Sequence, residues 1–260
     1  MIIGLVGDLE GDRDWAVEVL RALGREVDVA VQLGDLRFGM GADPDGYLAA
    51  IEAVCAEVGL RLLCITGNHE HWARLKALWA DPAHQDIDGT PLPLEVSDHV
   101  SLLPRGHRWE LDGRSLVALG GAPSVNRLLL TEGVSWWPGE VITDEHVDLT
   151  LAGGQADVMF LHDSPAPPLC TPPVAEIVRG NPMDWPEVIL AEADAGMAQV
   201  TRAVLGVRPR LVAHGHFHVA GEAVVRLPGA DHDTTIWSLA ANGDPANVRL
   251  LDLATLSDPA

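Results

Sequence analysis

Residues that can bind a metal ion stand shortly after apolar runs at five places along the chain. They are Asp8, Asp35, Asn68, His162, His216 and His218. Carboxylate and amide oxygens and imidazole nitrogens are donors suited to Mn²⁺, Fe or Zn²⁺. Because ligands bind at the carboxyl ends of strands in open α/β sheets, we expect these side chains to lie along one edge of a sheet. The spacing therefore indicates metal chemistry at that edge.

Each of these motifs is weak evidence when it is taken alone. A Gly-Asp pair after a strand is often only a turn, and Asn68 can equally be a turn residue. Two histidines one residue apart, such as His216 and His218, can both lie on a surface. The combination is more specific, because every candidate follows an apolar run and chance assembly of the whole ordered set is improbable.

Alternating strands and helices in the first third of the chain must position the first three candidates. Apolar residues at helical spacing predict helices over residues 12–23 and 43–58, each ended by a glycine, and over residues 69–79, which Asp81-Pro82 closes. Repeated strand–helix units predict a parallel sheet with right-handed crossovers.

The rest of the chain has a mixed pattern. Turn formers and short strand-like pieces predict hairpins over residues 81–115, then an irregular insertion at 121–142 and a helix that begins near Thr143. Six prolines predict a long surface loop at residues 163–184. A helix is expected over residues 185–205, followed by three strands that complete a second sheet. These strands are predicted at residues 219–227, 234–239 and 248–253.

Composition limits the classes of function. The 260 residues show no repeat or linker, so we treat residues 1–260 as a single domain. A net charge of −21 repels phosphate backbones and anionic bilayers, which disfavours duplex nucleic acid and membranes as partners. No apolar run approaches the roughly 18–20 residues of a membrane helix, and no signal peptide is recognised. The three cysteines are odd in number, widely spaced and without a CxxC pair, so we expect reduced packing residues in a cytoplasmic protein. The sequence leaves the oligomeric state open.

Five ordered sequence blocks resemble those of the calcineurin-like metallophosphoesterases. The blocks are Gly7-Asp8-x-x-Gly11, Gly34-Asp35, Gly67-Asn68-His69-Glu70, His162-Asp163 and Gly215-His216-x-His218. The last block and the Gly-Asn-His-Glu block are the most specific, and residues 120–138 are similar to small bacterial and phage members of the family. The resemblance implies an α/β fold in which a two-sheet β-sandwich is flanked by helices, in four α/β/β/α layers.

The resemblance also implies a centre with two divalent metal ions. Asp35 would bridge the ions, Asp8 and His218 would complete one site, and the other site would use Asn68, His162 and His216. His69 would serve the leaving-group oxygen as a general acid or charge stabiliser. A hydroxide held by the ions would then hydrolyse a small phosphodiester or phosphomonoester. Mn²⁺ is the preferred assignment, with Fe, Zn²⁺, Mg²⁺ and Ni²⁺ as alternatives.

Glu10 departs from the family pattern, which usually has histidine at this position of the first block. Three outcomes are open: Glu10 binds the first ion directly, it points away and leaves that ion short of a ligand, or the first site is empty. We favour direct ligation, because glutamate is a competent ligand for hard ions such as Mn²⁺. The additional negative charge also predicts weaker attraction for a phosphate dianion, and hence a relative preference for diesters.

Two arginines are candidates for contacting the substrate phosphate. Arg37 and Arg127 offer forked donors that match phosphate oxygens, although a surface role is at least as plausible for each. The leading function is therefore a metal-dependent phosphoesterase. The alternative is a degenerate scaffold that binds metal or a partner without turnover, which Glu10 favours and His69 disfavours.

Overall fold

The computed structural model describes residues 1–259. Its strands are β1 Ile2–Val6, β2 Val29–Gln32, β3 Arg61–Cys64, β4 Leu94–Glu95, β5 Val100–Leu102, β6 Arg108–Leu111, β7 Arg114–Leu119, β8 Val158–Leu161, β9 Leu211–His214, β10 Gly221–Arg226, β11 Asp233–Ser238 and β12 Val248–Asp252. Its helices are α1 Arg13–Leu23, α2 Pro44–Val58, α3 Trp72–Ala80, α4 Asp144–Ala152, α5 Pro172–Gly180 and α6 Glu187–Val207. Short 3-10 turns lie at Pro82–His84, Arg127–Leu129, Pro138–Glu140 and Pro245–Asn247.

Local capping explains where the first two helices begin and end. The Asp12 carboxylate accepts a hydrogen bond of 3.1 Å from the Trp15 N–H and starts α1. Asp43 caps α2 in the same way, and Pro44 occupies the first turn, where its missing N–H has no helical partner to lose. Gly59 ends α2 in the left-handed conformation at φ 71°. Both helices were predicted from these residues, and both are confirmed.

The strands form two mixed sheets with the same plan. The first sheet has the order β12-β1-β2-β3-β5-β4, and the second has the order β10-β11-β9-β8-β7-β6. Neighbours among the four central strands of each sheet run parallel, whereas each edge strand runs antiparallel to its neighbour. The carboxyl ends of the parallel strands, and the loops that follow them, therefore lie along the same edge of each sheet.

Successive side chains along a strand point to opposite faces of its sheet, so the two sheets contribute to three buried layers. Leu5 and Val31 of the first sheet and Leu116, Phe160 and Trp237 of the second belong to one core cluster between the sheets. The opposite face of the first sheet packs against α1, α2 and α3, and the opposite face of the second packs against α4 and α6. The predicted class, a β-sandwich flanked by helices, is confirmed.

The loop predicted at residues 163–184 is wrong, because α5 occupies its centre. Pro172 and Pro173 lie in the first turn of α5, where proline is tolerated and its fixed φ favours the helix. A count of prolines cannot reveal this, since the effect of a proline depends on whether it precedes or interrupts a helix. The helix ends at Asn181, whose φ of 41° lies in the left-handed region.

Two further predictions differ from the structure. The third helix begins at Trp72 rather than at residue 69, because residues 68–71 form the loop that carries part of the site. The last strand, β12, joins the first sheet rather than the second and pairs antiparallel with β1. Its apolar pattern predicts a strand but contains no information about its partner. Among residues 1–259, no helix is long and apolar enough to cross a bilayer.

Candidate metal centre

The candidate ligands come from the carboxyl ends of strands in both sheets. Asp8, Asp35 and Asn68 follow β1, β2 and β3 of the first sheet, whereas His162 follows β8 and residues 216–218 follow β9 of the second. The prediction that they line one edge of one sheet is therefore wrong. Apolar runs identify strands but do not assign them to sheets, and the sandwich brings the two sets of loops together.

Asp8, Glu10 and His218 form the first group. His218 Nε2 lies 3.0 Å from Asp8 Oδ2 and 3.4 Å from Glu10 Oε1. One donor atom from each of the three residues lies within 4.8 Å of the others. The Asp8 side chain is fully buried, whereas the His218 side chain is 48% exposed. The group is thus open to solvent on the histidine side.

Asp35, Asn68, His162 and His216 form the second group. His162 Nε2 lies 3.5 Å from Asp35 Oδ1 and 2.9 Å from Asn68 Oδ1. The ring centroids of His162 and His216 are 5.0 Å apart. Asp35, Asp8 and His162 also place one donor atom each within 4.8 Å of one another, so Asp35 lies between the two groups.

The environment of His162 shows that this donor set fits a cation. Its Nδ1 lies 2.8 Å from the Leu33 carbonyl oxygen, which can only accept, so the proton of the neutral ring is on Nδ1. Burial lowers the pKa of His162 to about 3, which keeps the ring neutral. The lone pair of Nε2 therefore faces Asn68 Oδ1, another acceptor, at 2.9 Å. Two acceptors face each other favourably when a cation binds both.

The buried charges lead to the same conclusion. Burial raises the pKa of Asp8 to about 7 and also raises the pKa of Asp35, because neighbouring carboxylates in a dry site resist ionisation. Burial lowers the pKa of His216 well below its ordinary value. Divalent ions would stabilise the ionised carboxylates and would bind the neutral imidazoles. The residues present therefore fit divalent cations.

The glycines of the motifs are required by close packing. A Cβ atom at Gly67 would lie 2.0 Å from Asp35 Oδ1, and one at Gly215 would lie 2.0 Å from Asp8 Oδ1. A Cβ atom at Gly34 would lie 2.2 Å from His162 Nδ1. Each glycine thus makes room for a candidate ligand, which explains why Gly precedes Asp, Asn or His in these blocks.

Backbone strain is concentrated in the same loops. Four candidate ligands have left-handed φ values that non-glycine residues rarely adopt: Glu10 52°, Asp35 58°, His216 66° and His218 55°. Such conformations cost about 1–3 kcal/mol each and persist where the surroundings enforce them, commonly at functional sites. The strain supports the interpretation that these loops are shaped to orient side chains.

Glu70 ties the loops of the site together, a role that the sequence did not suggest. Its fully buried carboxylate accepts hydrogen bonds from the backbone N–H groups of Leu36, Phe38 and Gly67. The loop after β2 is thereby fixed to the loop after β3, so that Asp35 and Asn68 keep their relative positions. The only sequence signal was the membership of Glu70 in the Gly-Asn-His-Glu block.

Ser124 and Glu140 also support a candidate ligand, and the sequence did not identify either. Asn68 Nδ2 donates to Ser124 Oγ at 3.0 Å, which directs Asn68 Oδ1 toward His162. Glu140 Oε1 accepts from the Ser124 N–H at 2.6 Å and from Trp136 Nε1 at 2.7 Å. These bonds connect the irregular segment at 121–142 to the site, so that segment has a positioning role.

Replacing Glu140 with glutamine is expected to remove a pH-dependent loss of stability. Burial raises the pKa of Glu140 to about 8, above the ordinary value of 4.5. The folded state therefore binds the proton more tightly than the unfolded state, and stability falls as the pH rises from about 4.5 through about 8. Glutamine does not titrate, so E140Q should gain on the order of 3 kcal/mol relative to wild type between pH 5 and pH 9.

Urea unfolding of metal-free protein at pH 5, 7 and 9 measures this difference. The exposed Glu145, changed to glutamine, is the matched control and should run parallel to wild type. If E140Q also runs parallel to wild type, the buried carboxyl does not titrate in this window and the prediction is wrong.

The remaining predicted residues occupy different positions. The His69 N–H donates to Asp35 Oδ1 at 2.8 Å, and its ring places a nitrogen within 4.8 Å of oxygens of Glu10 and Asp35. Arg37 donates from Nε and Nη2 to Glu10 Oε2, at 2.9 and 2.6 Å. Arg127 is paired with Glu192 and does not line the cavity that His69 lines. The structure thus brings Arg37, but not Arg127, to the candidate ligands.

Comparison with known proteins agrees with this geometry. The family model for calcineurin-like phosphoesterase matches residues 1–220. The structure is similar to that of TT1561 of Thermus thermophilus, at 12% identity and a TM-score of 0.57 over 98% of this chain and 96% of that one. It is also similar to a dimetal phosphatase from Danio rerio, at 13% identity and a TM-score of 0.55 over 96% of this chain and 91% of that one. No curated protein matches the chain.

Proposed function

Because the chain belongs to the calcineurin-like phosphoesterase family, we propose that it hydrolyses a small phosphate ester at a centre of two divalent metal ions. The family recognised from the five sequence blocks is confirmed by the match over residues 1–220. The observation that carries the proposal is the convergence of carboxylate, amide and imidazole donors from the loops of both sheets. The dimetal phosphatase with a similar fold is consistent with it.

Two residue sets are proposed to hold the ions. Asp8, Glu10 and His218 would hold one, and Asn68, His162 and His216 would hold the other. Asp35, which lies between the groups, would contact both. Two such ions supply positive charge for the phosphate oxygens and lower the pKa of water toward neutrality. Mn²⁺ is proposed because the donors are oxygens and imidazole nitrogens, with Fe, Zn²⁺, Mg²⁺ and Ni²⁺ as alternatives.

His69 is proposed to give a proton to the leaving-group oxygen. The backbone N–H of His69 is anchored to Asp35, and its ring lines an open cavity. An imidazole can donate a proton to a departing oxygen and regain it from solvent. His69 is therefore placed both to reach a bound ester and to exchange protons with water.

Glu10 is proposed to contribute one oxygen to the first ion. Its Oε1 points toward His218 Nε2, whereas its Oε2 accepts both hydrogen bonds from Arg37. Burial raises the pKa of Glu10, but His218 and Arg37 outweigh this effect and lower the pKa to about 2, so the carboxylate is ionised. Of the three outcomes considered for Glu10, this geometry supports direct ligation with Arg37 as the partner of the other oxygen.

The nature of the partner is inferred from charge. A net charge of −21 disfavours duplex nucleic acid and anionic membranes, so a small phosphate ester in the cytoplasm is proposed as the substrate. The metal ions would supply the local positive charge that the rest of the surface lacks. Residues 1–260 are proposed to act as one catalytic domain.

The test is hydrolysis by metal-stripped protein that is refilled separately with Mn²⁺, Mg²⁺, Zn²⁺, Fe²⁺ or Ni²⁺. Bis-p-nitrophenyl phosphate and p-nitrophenyl phosphate are the substrates, bound metal is counted for each preparation, and Asp35→Asn is the control. We expect turnover that requires metal and is lost in the control. Two bound ions without any turnover would instead support the scaffold that binds metal or a partner.

A further inference from the structure

A large cavity opens on the candidate metal centre. It has a volume of about 610 Å³ and is lined at one end by Asp35, Asn68, His69, His216 and His218. Pockets for small ligands typically have about 300–1,000 Å³, so this one has room for an organic group of several rings beside the phosphate. The cavity is thus continuous with the place where a phosphate ester would react.

Much of the cavity wall is apolar. This part of the wall is built by the end of α5, the loop at 181–186, the first half of α6 and Phe217, which lies between the candidate ligands His216 and His218. Its apolar side chains include Ile177, Met183, Trp185, Leu190, Met197 and Phe217. Such a wall gains free energy by covering apolar ligand surface, and Trp185 and Phe217 offer faces for a ring.

The charges of the wall restrict the occupant further. Among the described residues that line the cavity, none is lysine or arginine, whereas Asp163 and Asp194 are acidic. A second phosphate or a carboxylate in this space would have no lysine or arginine partner in the lining and would be repelled by the exposed Asp194 carboxylate. The occupant is therefore expected to carry no negative charge beyond the phosphate that the metal ions hold.

We propose that this cavity binds the alcohol part of the substrate, an uncharged aryl or alkyl group esterified to the phosphate. The inference rests on the proposed function, since it assumes that the phosphate sits on the metal centre. His69 lines the cavity, so the leaving-group oxygen lies between the centre and the apolar wall. Water adds its oxygen to phosphorus and releases a proton to solvent, while the ester P–O bond breaks. The departing oxygen takes a proton from His69, which regains one from solvent, and leaves as a neutral alcohol into the cavity.

The test compares phenyl phosphate with 2-naphthyl phosphate, and the methyl diester of each. Phenol and 2-naphthol have similar acidity, so the chemical step is matched while the apolar area differs. Burial of the additional ring should raise kcat/KM by about tenfold for the naphthyl ester. Ala193 lines the cavity on α6, so Ala193→Phe should fill the space and reduce this ratio to about one.

Ala195→Phe is the matched control, because Ala195 is an exposed residue on the same helix and is outside the cavity lining. It should leave the naphthyl-to-phenyl ratio unchanged. Trp185→Ala is a second variant that removes apolar wall instead of filling the space, and it should also lower the ratio. Circular dichroism checks that each variant is folded.

The outcomes separate this inference from the proposed function. Hydrolysis of both esters with a ratio that Ala193→Phe and Trp185→Ala leave unchanged would overturn the inference and retain the phosphoesterase. If no ester is hydrolysed, the proposed function is wrong. Calorimetric titration with 2-naphthol then tests whether the cavity binds an apolar ligand. Binding that Ala193→Phe abolishes would support an apolar ligand site, whereas no binding to wild type would overturn it.

Discussion

Replacing His69 with alanine is expected to lower kcat for phenyl phosphate by about 10³-fold, within the range that removal of a general acid causes. The phenolate is a poor leaving group and needs the proton that His69 is proposed to supply. The backbone N–H of residue 69, which donates to Asp35 Oδ1, remains in the alanine variant. The position of Asp35 should therefore persist, and the bound metal should be unchanged.

The dependence on the leaving group identifies the role of His69. p-Nitrophenolate departs readily without a proton, so the loss in H69A should be much smaller for p-nitrophenyl phosphate than for phenyl phosphate. His71→Ala is the control. The ring of His71 stacks on Trp137 at 4.4 Å between centroids, and its loss should change kcat by less than about threefold. An equal loss for both esters, or the loss of an ion, would instead make His69 a metal ligand or a structural residue.

Local features of the sequence predicted much of the fold. The five apolar runs that precede the candidate ligands are the strands β1, β2, β3, β8 and β9, because a strand buried on both faces needs a continuous apolar run. Asp12, Pro44 and Gly59 marked the helix ends through capping chemistry that acts over a few residues. These signals are local in the chain, so one sequence is sufficient to read them.

Contacts between distant residues were not predictable in the same way. Strand β12 lies near the end of the chain and pairs with β1 near its beginning, and apolar patterns do not specify such a pairing. The bond from Asn68 to Ser124, and that from Ser124 to Glu140, depend on how an irregular segment folds over the site. The helix α5 forms part of the wall of the apolar cavity. The many prolines of residues 163–184 predicted a loop in place of this helix.

The ion pair between Glu10 and Arg37 is another contact between distant residues, and it changes the net charge of the candidate metal centre. Counting only the carboxylates of Asp8, Glu10 and Asp35 against two divalent ions leaves a single positive charge, which predicted weaker attraction for a phosphate dianion. The Arg37 guanidinium lies 2.6 Å from Glu10 Oε2 and adds one positive charge. The centre with two ions would then carry two positive charges instead of one. Charge alone therefore no longer favours diesters over monoesters, and Arg37 is proposed to compensate Glu10 rather than to contact the phosphate.

Replacing Glu10 with alanine is expected to lower bound metal from two ions per chain to about one and to reduce kcat by about 10²-fold or more. The first ion would lose one of its carboxylate ligands, whereas the group around Asn68, His162 and His216 would be intact. Elemental analysis of refilled protein measures the stoichiometry, and p-nitrophenyl phosphate hydrolysis measures kcat. Two ions retained in E10A would mean that Glu10 is not a ligand.

Two further variants separate ligation from charge. Glu10→His supplies an imidazole at the same position, so it should bind two ions again, while the uncompensated Arg37 raises the charge of the centre by one. The ratio of diester to monoester hydrolysis should then fall, because additional positive charge attracts the dianion more than the monoanion. Adding Arg37→Gln to Glu10→His removes that charge and should return the ratio toward wild type. A ratio that neither variant moves would show that the Glu10–Arg37 pair does not set the preference.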